Sequence, residues 1–336
     1  MKRHGNLFDK ITDMDNLTLA YIRARKGKAW QRQIKAFDVN PEENLLAIKQ
    51  SLIDKTFHTS PYRVKTIHEP KKREIYILPF SPDRIVQHAL MNVIEHIWEN
   101  LFIHDSYACR KGKGVHAGSR RTMEFVRRNA YCLQCDISKF YPSIDHDILS
   151  FIVRRKIKCP DTLWLLDDII YSIQGGKNTP IGNYTSQWFG NLYMNELDQY
   201  LKHTWKIRDY IRYCDDFLLF HHDKGFLNRM KIVIKDFLAD TLHLTMSKCE
   251  VFPVSQGVDF LGYRHFRNHV LLRKSTAKRI IRRFHILPTL LDSGSITLDQ
   301  FRSSIASMLG WMQWAQTGNL KKVLRIDELM EAFCAT

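Results

Sequence analysis

The chain lacks any long apolar run. None approaches the roughly 18 residues that a membrane-crossing helix needs, although 44% of its 336 residues are hydrophobic. No apolar segment follows the N-terminal Met1-Lys2-Arg3-His4-Gly5-Asn6, so no secretory leader is expected and the location read from this is cytoplasmic. Cysteine is sparse and odd in number: seven residues, scattered. Without a leader these thiols are expected to be reduced. Cys132 and Cys135 form a lone C-x-x-C with no second pair to complete a zinc site. On a strand, residues three apart point to opposite faces, so the two sulfurs should diverge. Internal repeats and low-complexity tracts are also missing.

Acids are in short supply. The 35 Asp and Glu against 51 Lys and Arg leave a formal charge of +16, which favours a polyanionic partner, nucleic acid being the usual one. The length suffices for two or three packed units and a sizeable core. Residues 17–37 concentrate Arg23, Arg25, Lys26, Lys28, Arg32 and Lys35 among apolar residues, which reads either as a solvated helix face or as an RNA-contacting arm. Asn40-Pro41-Glu42-Glu43 then starts a helix, with a capping Asn, Pro at the first helical position and acids in the first turn.

Tyr62–Ile67 and Arg73–Ile77 alternate in the manner of a hairpin, joined by a turn around Pro70 and carrying Lys65, Lys71, Lys72 and Arg73. Apolar residues from Ile85 to Leu101 recur at helical spacing and predict one amphipathic helix. Ser106–Gly114 is a Gly-rich basic loop without the full phosphate-loop pattern. A further helix is expected from about Phe226 to Leu242.

Against this basic background two stretches with acids stand apart. Tyr210–Phe220 sets Asp215 and Asp216 between short aromatic and branched apolar runs, the pattern of a hairpin whose turn carries both acids. Adjacent acids repel and cannot both be buried unpaired. They are either solvated turn acids or ligands of a divalent cation, and Mg²⁺ favours one or two carboxylates completed by substrate phosphates. Cys132–Asp145 ends another apolar strand in Asp136, followed by aromatics and a helix start at Asp145. An acid closing one strand and a pair on a hairpin are the parts of a two-metal phosphoryl-transfer site.

Asp136-x-x-x-Phe140-Tyr141, followed by Tyr213-Cys214-Asp215-Asp216, resembles the palm of reverse transcriptases. Further blocks stand in that family's order: Arg73-x-Ile75-x-Ile77-x-Pro79, Asp83-Arg84-x-x-Gln87, Ser106-Tyr107-x-x-Arg110-Lys111-Gly112, Leu244–Glu250 and Val258–Tyr263. The resemblance covers residues 62–316 and implies an α+β right-hand polymerase. Residues 1–60 would be a basic helical arm, 61–130 the fingers, 131–265 the palm (with fingers helices interleaved around 160–182) and 266–336 the thumb.

The resemblance also implies roles. Asp136 and Asp215, with an oxygen neighbour such as the Ile137 carbonyl, would hold two Mg²⁺ ions, for which Mn²⁺ can substitute, and Asp216 would support them. Lys248 would act at the leaving pyrophosphate as charge stabiliser or general acid. Lys65 and Arg73 would hold the triphosphate of the incoming dNTP. Phe140, Tyr141, Ile181, Gly182 and Gln187 would also line the nucleotide pocket; Tyr141 matches an aromatic gate against the ribose 2′-hydroxyl, the alternative being a core aromatic. Arg84, Arg110, Lys111, Lys113, Gly262, Lys278, Arg279, Arg282 and Arg283 would hold template and primer. Met308–Ala315 would be thumb core.

One departure narrows the resemblance. Most reverse transcriptases have Gln-Gly-x-x-x-Ser-Pro where this chain has Ile181-Gly182-x-x-x-Ser186-Gln187. That replacement resembles the reverse transcriptases of diversity-generating retroelements, which copy template adenines with errors. Membership there implies a template RNA, a cDNA product and a separate accessory variability protein as partners, with no membrane. No ribonuclease H, integrase, maturase or endonuclease extension is expected. The alternatives are another bacterial reverse transcriptase (retron, defence or intron-derived) and a noncatalytic RNA-binding protein of the same fold.

Overall fold

A computed structural model describes residues 3–68 and 72–326. Four helices open the chain: α1 (Phe8–Ile11), α2 (Met14–Arg25), α3 (Arg32–Phe37) and α4 (Pro41–Ile53). Asp13 caps α2 by accepting the Asp15 N–H, and Pro41 stands at the start of α4, where its missing N–H costs nothing. The Asn40 side chain makes no cap, since its amide donates to the Glu43 carboxylate instead. α2 buries Leu17, Ala20 and Ala24 and packs on α5 (Ile85–Glu99), the amphipathic helix read from the sequence.

Between α4 and α5 lies an antiparallel ribbon, β1 (Arg63–Ile67) and β2 (Arg73–Ile77), in register from Arg63 opposite Ile77 to Ile67 opposite Arg73. The turn expected around Pro70, and Lys71 with it, lies outside the described residues. α6 (Val115–Arg128) follows the basic loop.

A four-stranded antiparallel sheet organises the middle of the chain. Its strands are β3 (Tyr131–Ile137), β4 (Tyr210–Tyr213), β5 (Asp216–His221) and β6 (Met246–Pro253), in the spatial order β4-β5-β3-β6. Inserted between β3 and β4 are α7 (Phe140–Ser143), α8 (His146–Arg154), α9 (Pro160–Ile170) and α10 (Tyr184–Gln199), and α11 (Lys224–Leu242) connects β5 to β6. Asp145 caps α8 through the Asp147 and Ile148 N–H groups, as its place in the sequence suggests.

Strand alternation gives the sheet two working faces. Leu133, Cys135, Ile137, Phe217 and Leu219 join the core shared with α10 and α11. Cys132, Leu218 and Phe220 join a second cluster with Phe125 and Val126 of α6 and with Phe260. Cys132 and Cys135 therefore diverge to opposite cores, which removes any zinc role for the pair.

A small sheet of β7 (Val258–Phe260), β8 (Tyr263–His265) and β9 (Val270–Leu272) leads into α12 (Lys274–Asp292), α13 (Leu298–Met312) and α14 (Gly318–Val323). Ile280, Phe284 and Leu287 of α12 meet Phe301, Ile305 and Met308 of α13 in a third, separate core. The architecture is α+β, with antiparallel sheets. Among the described residues no helix is long and apolar enough to cross a membrane.

Candidate active site

β3 is an inner strand, flanked by β5 and β6, and its last residues decide the site. Asp136 pairs with Asp216 on β5 and with Lys248 on β6. Directly paired residues on neighbouring strands share a face, so these three side chains leave the sheet together. Asp215 sits beside them in the turn between β4 and β5. The sequence reading put both acids in that turn, but Asp216 is the first residue of β5 and pairs with Tyr213.

The acids are half-buried, and their charges oppose one another. Burial, followed by the charges of Asp136 and Asp215, pushes the Asp216 carboxyl up to about 7. Burial and the Asp136 charge also raise Asp215, against which the charge of Arg73 works. Asp216 Oδ1 is buried without a hydrogen-bond partner. Hard oxygen donors, mutual repulsion and an unpartnered buried oxygen together suit a divalent cation. Among the described residues no three His, Cys, Asp or Glu side chains are gathered tightly enough to cage an ion alone.

Ser247 is a residue that sequence reasoning missed. The β3–β6 register shifts between Asp136 and Ile137, because Asp136 faces Lys248 while Ile137 faces Met246. Ser247 is the extra residue of this bulge, and its hydroxyl donates to Asp136 Oδ2. Bulges beside active sites commonly re-aim a side chain in this way. Ser247→Ala should free the Asp136 carboxylate; with Asp136 as a metal ligand, the divalent-ion concentration needed for half-maximal activity would rise about 10-fold, the effect typical of losing a ligand's hydrogen-bond partner. A metal titration of the catalysed reaction checks this, and an unshifted midpoint would show that the contact positions nothing.

Tyr141 stands over the same turn. Its hydroxyl meets Cys214 Sγ at 3.3 Å. Its ring lies against α10 at Gly190, where an added Cβ would come within 3.2 Å of Tyr141 Cε1. Phe140 differs from the expectation: it is buried in the main core behind Tyr141, so it backs the ring and cannot touch a nucleotide.

The Ile181–Gln187 segment is stitched to the ribbon. The Tyr76 N–H donates to the Ile181 carbonyl at 2.8 Å, and Arg84 reaches the Gly182 carbonyl. Gly182 has φ +129°, and a Cβ there would fall 2.2 Å from the Tyr76 carbonyl oxygen, so only glycine fits. The buried Gln87 side chain accepts the Tyr184 N–H at 2.9 Å and so satisfies the first turn of α10. Ser186 is buried on the Pro180 carbonyl, whereas Gln187 is exposed.

Residues 67–265, more than half the chain, match the family described as reverse transcriptase (RNA-dependent DNA polymerase). The chain belongs to the reverse transcriptase family. It is similar to protein YkfC of Escherichia coli, 25% identical over 62% of this chain and 68% of that one. It is also similar to the group II intron-encoded protein LtrA of Lactococcus lactis subsp. cremoris, 25% identical over 48% of this chain and 28% of that one. An uncharacterised 91 kDa protein in the cob intron of Schizosaccharomyces pombe is 28% identical over 48% of this chain and 21% of its own length. The chain therefore spans about a quarter of these two intron proteins.

Other expected positions of the reverse transcriptase divide into open and committed ones. Lys65 and Arg73 are exposed and share one face of the ribbon. Lys111, Lys278, Arg279, Arg282 and Arg283 are exposed, the last four along the outer side of α12. Gly262 has φ +82° in the β7–β8 turn, where a Cβ would press within 2.8 Å of the Trp311 ring. Lys113 donates to the His104 carbonyl at 2.9 Å, over the Tyr107 ring.

Two expectations change. Arg110 does not face a template: its side chain is 7% exposed, bonded to Glu99 and to the carbonyls of Ile103 and Ser106. It braces the loop from within. Lys248 shares the face of Asp136, but its ammonium leans away along the sheet to Gln134 at 3.2 Å and Glu250 at 3.5 Å. To meet a leaving phosphate it must exchange those partners.

Proposed function

We propose that the chain adds deoxynucleotides to a primer on an RNA template, and that it is the reverse transcriptase of a diversity-generating retroelement. The observation carrying the polymerase reading is the register that sets Asp136 against Asp216 with Asp215 on the adjoining turn. We assign the ribbon and α6 to the fingers, the four-stranded sheet to the palm and α12–α14 to the thumb. When bound, two Mg²⁺ ions would activate the primer 3′-hydroxyl and neutralise the departing pyrophosphate. The protein's own part is positioning. Asp136 and Asp215 supply the metal-binding oxygens, Lys65 and Arg73 grip the triphosphate, and the exposed bases of α12 track duplex phosphates. Lys26, Lys28, Arg32 and Lys35, all exposed, give the N-terminal arm a basic surface of its own.

Tyr141 sits where a ring beneath the sugar leaves no room for a 2′-oxygen. Tyr141→Ala should admit ribonucleotides, raising rNTP over dNTP incorporation by about 10- to 100-fold, the range expected when a pocket loses a steric exclusion. Single-nucleotide extension with each substrate measures it; an unchanged preference would make the ring a core aromatic.

The finer reading rests on Ile181 and Gln187. Gln187 is exposed on the first turn of α10, where its amide can hydrogen-bond near a nascent pair, while Ile181 offers shape alone. Sequencing cDNA made on the cognate RNA tests it: errors should concentrate at template adenines. The intron proteins among its relatives support a second reading, an intron-type enzyme, for which errors would show no such concentration. Phosphate contacts position a nucleic acid without choosing its sequence. The isolated chain should therefore bind RNA in a steeply salt-dependent way, and selective cDNA initiation should need the accessory variability protein and the structured template RNA. Filter binding across a salt series, with initiation mapped with and without that protein, checks both; site-specific initiation by the chain alone would refute the partner requirement.

A further inference from the structure

We propose that Arg212 is a positioning residue whose guanidinium holds the catalytic turn in the backbone shape that presents Asp215. This rests on the role given to Asp215 above. Arg212 lies in β4 two residues before Cys214, and its side chain is 0% exposed, as is that of its partner Asp198 on α10. The pair is bidentate, Nε to Oδ1 at 2.8 Å and Nη2 to Oδ2 at 2.6 Å, and Tyr210 donates its hydroxyl to the same carboxylate at 2.6 Å. Asp198 thus consumes one edge of the fork. The remaining nitrogen, Nη1, donates to Asn191 Oδ1 at 3.1 Å and to the Cys214 carbonyl at 3.0 Å.

That last bond lands on an unusual residue. Cys214 has φ +58°, the left-handed region that side-chain-bearing residues disfavour and glycine accepts freely. The turn has only Cys214 and Asp215 between the paired Tyr213 and Asp216, so the conformation of Cys214 sets the direction of the Asp215 side chain. A buried ion pair adds little stability over apolar residues of the same volume. What this one supplies, and an apolar pair could not, is a charged donor fixed on the turn's carbonyl.

The test compares Arg212→Lys with Arg212→Lys/Cys214→Gly. Lysine keeps a charge opposite Asp198 but lacks the planar fork needed to reach Cys214 as well. Arg212→Lys should slow single-turnover dNTP addition at least about 10-fold, with template-RNA affinity unchanged, since small misplacements of reacting groups cost that much. Mn²⁺ binding to the unliganded protein, read by electron paramagnetic resonance, should weaken in parallel. Adding Cys214→Gly should restore most of both, because glycine enters the left-handed turn without strain. A normal rate and Mn²⁺ affinity in Arg212→Lys, or a loss that glycine does not recover, would overturn the proposal.

If Arg212→Lys does not fold, Cys214→Val in the wild-type background replaces it. A β-branched residue opposes the left-handed turn without touching the buried pair. It should weaken Mn²⁺ binding likewise, and unaltered binding would overturn the proposal. Wild-type protein that binds Mn²⁺ yet never extends a primer would instead contradict the polymerase reading and leave the Mn²⁺ comparison standing as the test of the turn.

Discussion

Asp215→Asn is expected to reduce metal-dependent cDNA synthesis about 10³-fold or more, and Asp136→Asn equally, while template-RNA affinity stays within about twofold. Effects of that size follow the loss of a group that acts only with the reacting atoms. Asparagine keeps the shape and one oxygen but surrenders the charge that binds the cation. It also removes one of the two charges that add to burial in pushing Asp216 up, so the fold should tolerate it or gain slightly. Primer extension and RNA binding measured on the same preparation separate the two effects. Near wild-type extension by either variant would end the assignment of these acids.

The second large effect is on stability. Asp198→Ala strands the fully buried Arg212 charge and leaves the Tyr210 hydroxyl without its acceptor. Removing one partner of a buried ion pair typically costs about 3–5 kcal/mol. The double variant Asp198→Leu/Arg212→Met, which removes both charges but still leaves the Tyr210 hydroxyl unpaired, should recover the part of that loss that comes from the stranded charge, since an apolar pair of similar volume is often neutral. Chemical denaturation of the three proteins gives the comparison. A loss in Asp198→Ala below about 1 kcal/mol, the scale of an exposed pair, would mean that water reaches this network.

These two sites were not equally visible from the chain. Asp136, Asp215 and Asp216 could be found because each lies at a strand end marked by local alternation, and local patterns survive in the sequence. Arg212 lies inside the same stretch and passed unnoticed: its partners Asp198 and Asn191 come from α10, and nothing local brings that helix behind the turn. Ser247 was hidden for a related reason. A bulge is a property of two strands in register, so its extra residue is invisible until β3 and β6 are paired. Arg110 was misread because a basic residue in a Gly-rich loop looks free until the loop folds back on Glu99. The helix from Ile85 and the helix before β6 were legible, because burial of one face imposes a period; the ribbon, with no fully buried position, was marked by its alternation and by the turn residues between its strands. The helix before β6 starts at Lys224, two residues earlier than the apolar pattern indicated, since Asp223 caps it.

The most direct measurement is extension of a DNA primer annealed to an RNA template of defined sequence, with dNTPs, across a titration of Mg²⁺, followed by sequencing of the product. The account predicts cDNA that appears only with the divalent ion, that vanishes in Asp136→Asn and Asp215→Asn, and that carries its errors at template adenines. Protein that binds the template yet makes no cDNA at any Mg²⁺ or Mn²⁺ concentration would contradict it.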